Sequence, residues 1–212
     1  MRSDPRELHR HAFDVVVIGA GIQGAAIARD AAVRGLSTLL LEARDVAAGT
    51  SSRSSRLVHG GLRYLRQGHL RLVREALRER ERLLRLAPHL VRPLPMLMPF
   101  FRGGGVPPWQ LRLGTLLYAR LAGRSTLPRP RRLRPAAALA AFPGLRESGL
   151  TGALEFFDAR TQDGRLTLAN VQDAVAAGAA FVNHARVVAI GGDGLHVVDE
   201  VTGDELRLTA GG

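Results

Sequence analysis

Six residues, Gly19-Ala20-Gly21-Ile22-Gln23-Gly24, carry the spacing G-x-G-x-x-G, and a carboxylate, Glu42, stands eighteen positions after the last of them. Gripping a dinucleotide needs these residue types at this spacing. Gly19 permits a tight turn, Gly21 lets backbone approach a pyrophosphate, and Gly24 lets a helix pack closely on a strand. The N-terminus of such a helix turns N–H groups and the positive end of its dipole toward phosphate. A carboxylate at position 42 accepts hydrogen bonds from both ribose hydroxyls, and it repels a 2′-phosphate, which disfavours NADP. The motif by itself does not separate a flavin from a nicotinamide dinucleotide. A bare glycine turn would also suit an α/β protein that binds nothing, so the context decides.

That context is present. Phe13–Gly19 is a short apolar, β-branched run bounded by glycine, which predicts a buried parallel strand. Residues 22–34 are alanine-rich and end at Gly35, and Ser37–Glu42 predicts a second strand. Strand, helix, strand and terminal acid are in register as a βαβ unit. Residues 44–61 read as a Ser/Gly-rich loop. The spacing predicts an amphipathic helix from His69 to Ala87, with Leu70, Val73, Leu77 and Leu84 on one face. Its arginines 71, 74, 78, 82 and 85 alternate with Glu75, Glu79 and Glu81, the pattern of a solvated face. Prolines break residues 92–108, Trp109–Leu121 could be helical, and 124–135 reads as an exposed basic connector. Thr151–Asp158 predicts a strand, Asp163 an N-cap, and the turn clusters at 191–194 and 202–204 a β-meander.

Composition removes whole classes of chemistry. There is no cysteine, hence no disulfide, iron–sulfur cluster or thiolate zinc site, and no metal centre is expected. All 30 basic side chains are arginine, so a Schiff-base lysine and a Walker A lysine are both excluded. No apolar run approaches the ~18 residues of a membrane span. No secretory signal is read at the N-terminus, so a cytoplasmic protein, or one on the inner face of the membrane, is expected. The net charge of +11 is uneven: residues 53–134 hold nineteen arginines against three glutamates, a local +16. Such a block attracts phosphates, anionic lipid or nucleic acid.

The runs IGAGIQGAAIARDAAVRG (Ile18–Gly35) and GTSSRSSRLVHGGLRYL (Gly49–Leu65) resemble the N-terminal signature and the following segment of FAD-dependent glycerol-3-phosphate dehydrogenases. LVREALRERERLLRLAPHL (Leu72–Leu90) and DGRLTLAN (Asp163–Asn170) extend the resemblance over nearly the whole chain. Ala20 and Ala26 stand where that family usually has glycine; both are small and lie outside the three motif glycines. The resemblance implies oxidation of glycerol 3-phosphate to dihydroxyacetone phosphate, with hydride passing to FAD and electrons to quinone, at a membrane surface. It implies that Thr50, Ser51, Ser52 and Ser55 lie along the flavin, with His59, Gly60 and Gly61 near its ring. It also implies that Arg63 and Tyr64 face the substrate.

The fold class expected is α/β: a partial, FAD-binding Rossmann-like domain, a parallel sheet plus β-meander, built from residues 9–68 and 151–212. Residues 69–150 are expected to be an inserted basic helical segment belonging to a substrate domain. Relatives are expected to continue beyond Gly212 with further parts of the flavin and substrate sites, so residues 1–212 alone are expected to be an incomplete, inactive form. Two rivals stand beside this reading. One is another FAD-dependent amine or 2-hydroxy-acid oxidase of the same fold. The other is a non-catalytic basic protein that uses residues 53–134 on anionic membrane or, less favoured, nucleic acid.

Overall fold

The computed structural model describes residues 1–8, 11–61, 64–65, 67–103, 107–192 and 194–208, and they form two compact units. The first contains residues 1–55 and 162–212, the second residues 56–161.

In the first unit, strands β1 (Val15–Ile18), β2 (Thr38–Leu41) and β7 (Ala180–Val182) form a parallel sheet in the order β1-β2-β7. Strand alternation sorts the β2 side chains between two cores. Leu40 packs with the buried alanines of helix α2 (Ile22–Val33) and with Val171 and Ala174 of helix α6 (Asp163–Ala176). Leu39 and Leu41 pack on the other face with Leu195, Val197 and Leu208. Those last residues come from an antiparallel meander of β8 (Ala185–Gly191), β9 (Gly194–Asp199) and β10 (Glu205–Leu208). The short helix α1 (Pro5–Leu8) adds Leu8 to that layer. A strand covered on both faces is apolar at every position, which is why TLLL is buried throughout.

The second unit is a sheet around β6 (Leu150–Arg160). Its partner along the whole length is β4 (Arg92–Phe101), and β3 (Leu57–Val58) and β5 (Arg131–Leu133) also pair with it. Helices α3 (Leu70–Leu86), α4 (Pro108–Leu121) and α5 (Pro135–Ala141) complete the unit. Val73 and Leu77 of α3 pack against Tyr118 and Ala122, while Leu133, Ala138 and Ala153 form a second small core.

The βαβ unit, the meander and the helices near 70–86 and 109–121 lie where the sequence places them. Three features differ. The proline-broken segment 92–108 contains a ten-residue strand, β4. Pro93, Pro95 and Pro99 share one parity, so their missing N–H groups fall on one side of a strand whose only described partner is β6. The segment read as an exposed connector forms β5 and leads into α5, with Arg131 paired to the carboxylate of Glu155. Asp163 is the first residue of α6, not its cap; the cap is Gln162, without a side-chain hydrogen bond. The compact units divide at 55/56 and 161/162, and β3 and β6 are hydrogen-bonded within the second unit.

Candidate functional site

The first cluster of expected residues sits where β1 ends and α2 begins. Gly19 has φ +103°, a conformation that side chains other than glycine rarely adopt. Its N–H donates to the Leu41 carbonyl at 2.7 Å, tying the turn to β2. A Cβ on Gly24 would lie 1.9 Å from the Gly19 carbonyl oxygen, so only glycine lets the helix come this close. Gly21 is the N-cap of α2, and the first N–H groups of that helix have no partner within it.

Glu42 leaves the end of β2 and reaches back to the turn. Its Oε2 accepts the Ala20 N–H at 2.8 Å, and its Oε1 accepts the Arg44 N–H at 2.9 Å. A carboxylate offers about four lone-pair positions, so each oxygen keeps one for a further donor. The side chain whose spacing predicted a ribose ligand is thus fixed against the glycine turn, half-buried, with acceptor capacity left over.

The hydroxyl residues lie on the same unit. Thr50–Ser52 form a single 3₁₀ turn, and Ser51 Oγ accepts the Ile22 N–H at 3.0 Å. Ser51 therefore lies on the N-terminus of α2, where anionic groups bind best. A Cβ on Gly164 would stand 3.3 Å from Ser52 Oγ, and Ser54 donates to Asp163 Oδ2 at 2.6 Å, so the same loop also rests on the start of α6. Ser55 is exposed at the end of the unit. The sequence reading missed Ser54 and its tie to Asp163; a carboxylate at the first residue of a helix was the available signal.

His59, Gly60, Gly61 and Tyr64 belong to the second unit. Arg63, the expected substrate ligand, lies outside the described residues. The Gly61 N–H donates to His59 Nδ1 at 2.9 Å, so a neutral His59 ring carries its proton on Nε2. The Tyr64 ring covers Gly61: a Cβ there would stand 2.5 Å from Tyr64 Cδ2. Gly60 is buried, and its N–H donates to the Tyr118 hydroxyl at 2.7 Å. Tyr118 donates in turn to Asp158, which also accepts from Arg80 Nη1 at 2.5 Å. Arg80 Nη2 contacts Glu81 at 3.3 Å, and Glu81 takes three more hydrogen bonds from Ser125 and Thr126. Burial alone would raise the Glu81 pKa, but these bonds and the Arg80 charge hold it below the usual carboxylate value. Glu81 was expected on a solvated helix face; it is 4% exposed, and only the Arg71–Glu75 and Arg82–Glu79 pairs fit that description.

The model of the family described as FAD dependent oxidoreductase (DAO) matches residues 14–211. The chain belongs to this family. Proteins similar to it include the glycerol-3-phosphate dehydrogenase of Mycobacterium leprae, 47% identical over 92% of this chain and 33% of that protein. The glycerol-3-phosphate dehydrogenase of Synechocystis is 42% identical over 99% of this chain and 39% of its own length. Among solved structures, the glycerol-3-phosphate dehydrogenase from Bacillus halodurans complexed with FAD superposes with a TM-score of 0.71 at 32% identity, covering 97% of this chain and 34% of that one. The chain thus spans little more than a third of the length of these family members.

Proposed function

We propose that this FAD-dependent oxidoreductase oxidises glycerol 3-phosphate to dihydroxyacetone phosphate and delivers the electrons to quinone, and that the first unit holds the ADP half of the cofactor. The observation that carries the cofactor assignment is the Glu42 carboxylate, fixed to the Ala20 N–H and still able to accept two ribose hydroxyls. Gly19, Gly21 and Gly24 carry no Cβ in this turn, and the start of α2 supplies N–H donors. Thr50, Ser51, Ser52 and Ser55 are assigned to the length of the cofactor, and His59, Gly60 and Gly61 to its ring. When bound, FAD would supply the hydride acceptor for oxidation of the secondary alcohol. Arg63 is assigned the substrate phosphate, for which its planar fork is suited, and Tyr64 is assigned to the substrate pocket. Identity of 42–47% to proteins named glycerol-3-phosphate dehydrogenase supports the choice of substrate.

The test is anaerobic dye or quinone reduction by the longest natural chain that carries residues 1–212, with product analysis. Formation of dihydroxyacetone phosphate from glycerol 3-phosphate is expected. Reduction by an amine or a 2-hydroxy acid, with none by glycerol 3-phosphate, would replace this reading with the oxidase alternative.

Among the described residues no helix is long and apolar enough to cross a membrane. Helix α4 nevertheless exposes Trp109, Leu113, Leu116 and Leu117, at i, i+4, i+7 and i+8, with Arg112 and Arg120 on the same helix. Apolar side chains that include tryptophan, bordered by arginine, suit the interface of an anionic bilayer. We propose that α4 lies against such a surface. Sedimentation with anionic vesicles should fall on Trp109→Ser; equal binding by wild type and variant would exclude α4 as the contact.

A further inference from the structure

The loop His59–Gly60–Gly61 is held by a residue that no local sequence pattern marks. A tyrosine hydroxyl has one proton to give. Toward the Gly60 N–H, 2.7 Å away, it can only accept, so its own proton goes to Asp158, whose carboxylate oxygens lie at 2.9 and 3.2 Å. Asp158 is fixed by Arg80, which also donates to the Phe157 carbonyl. The direction of each hydrogen bond along Gly60, Tyr118, Asp158 and Arg80 is therefore set. The packing around the loop leaves no slack. A Cβ on Gly60 would stand 2.5 Å from the Leu77 side chain and 2.8 Å from the Tyr118 oxygen. Tyr118 is 3% exposed, and its ring meets Phe156 edge-on. Burial first, then the Asp158 charge, raise the pKa of the hydroxyl, so it stays protonated.

We propose that Tyr118 is a positioning residue: by accepting from Gly60 and donating to Asp158, its hydroxyl fixes the backbone of His59–Gly61 and, through it, the loop's contact with the flavin. The proposal rests on the reading that this loop stands beside the ring. Tyr118→Phe removes one oxygen, keeps the ring packing, and leaves the Gly60 N–H buried without its acceptor.

The test uses the flavin-loaded form of the longest natural chain carrying residues 1–212. Its readouts are amide hydrogen exchange at Gly60 and the visible spectrum of the bound flavin. In Tyr118→Phe, exchange at Gly60 should quicken roughly fivefold to a hundredfold, the range expected for losing one buried hydrogen bond. The flavin bands should shift with it. Leu133→Ala weakens the same unit away from the loop and should leave the spectrum as in wild type. If His59→Ala shifts the bands and Tyr118→Phe does not, the loop reading stands and the proposal is overturned. If neither shifts them, the loop reading fails and the proposal with it. Should Tyr118→Phe not fold, wild-type exchange decides: Gly60 must be among the slowly exchanging amides, and rapid exchange there overturns the proposal.

Discussion

The two units bury different things. In the first, the large side chains sealed from solvent are apolar: Phe181, Leu39, Leu40, Leu41, Val171 and Val197. Among its described residues one carboxylate, Asp199, is deeply buried and paired with Arg2, and Glu42 stands half-buried just past the end of β2. In the second, Arg80, Glu81, Glu155 and Asp158 are each less than a tenth exposed, and three of them form one connected network with Tyr118. The first unit therefore follows from apolar layering, with its chemistry added at strand ends. The second carries charges in its interior whose desolvation is offset only while every partner is present. Loss of one group should be tolerated quite differently in the two.

The largest effect is expected in the second unit. Asp158→Ala leaves Arg80 with a single acidic neighbour and strips Tyr118 of its acceptor, and should lower stability by about 3–5 kcal/mol in chemical denaturation. A loss below about 1 kcal/mol would erase the contrast between the units. In the first unit, Gly24→Ala forces a methyl group into the Gly19 carbonyl. Overpacking of this kind costs about 1–3 kcal/mol, and the same shift should displace the turn and abolish tight flavin binding. A variant with wild-type flavin affinity would show that the turn has more freedom than its geometry implies. A smaller, pH-dependent effect belongs to Glu81. Its folded pKa lies below the unfolded one, so its contribution is complete above the unfolded value of about 4.3 and is lost as pH falls through the folded value. Wild type should therefore lose stability below about pH 4.3 more steeply than Glu81→Gln, by thermal unfolding. Parallel curves would remove Glu81 from the network's energetics.

How much the sequence reveals follows the same division. The glycine turn, α2, β2 and Glu42 are legible because their relations are local: a strand, a helix and an acid succeed one another at fixed spacing. The meander is legible for the same reason, through its turn residues. Arg80 meets Asp158 across 78 positions, and Tyr118 meets it across 40, and no period in the sequence links them. Glu81 looked like one more charge in a run of them; only the fold turns it, with Arg80, inward. Strand β4 was hidden by its prolines, which signal a break unless the strand is known to sit at an edge. Helix α5 was hidden by its seven-residue length, and Asp163 by resembling the cap it stands beside.

Glu42 and the glycine turn are proposed to grip the ADP part of FAD. The most direct test is titration of FAD into the wild-type protein and into Glu42→Ala, followed by flavin fluorescence. Removing a charged acceptor of two ribose hydroxyls should weaken binding about tenfold to a hundredfold, while Arg71→Ala, which breaks an exposed helix pair, should bind as wild type does. Equal FAD affinity in wild type and Glu42→Ala would contradict the claim.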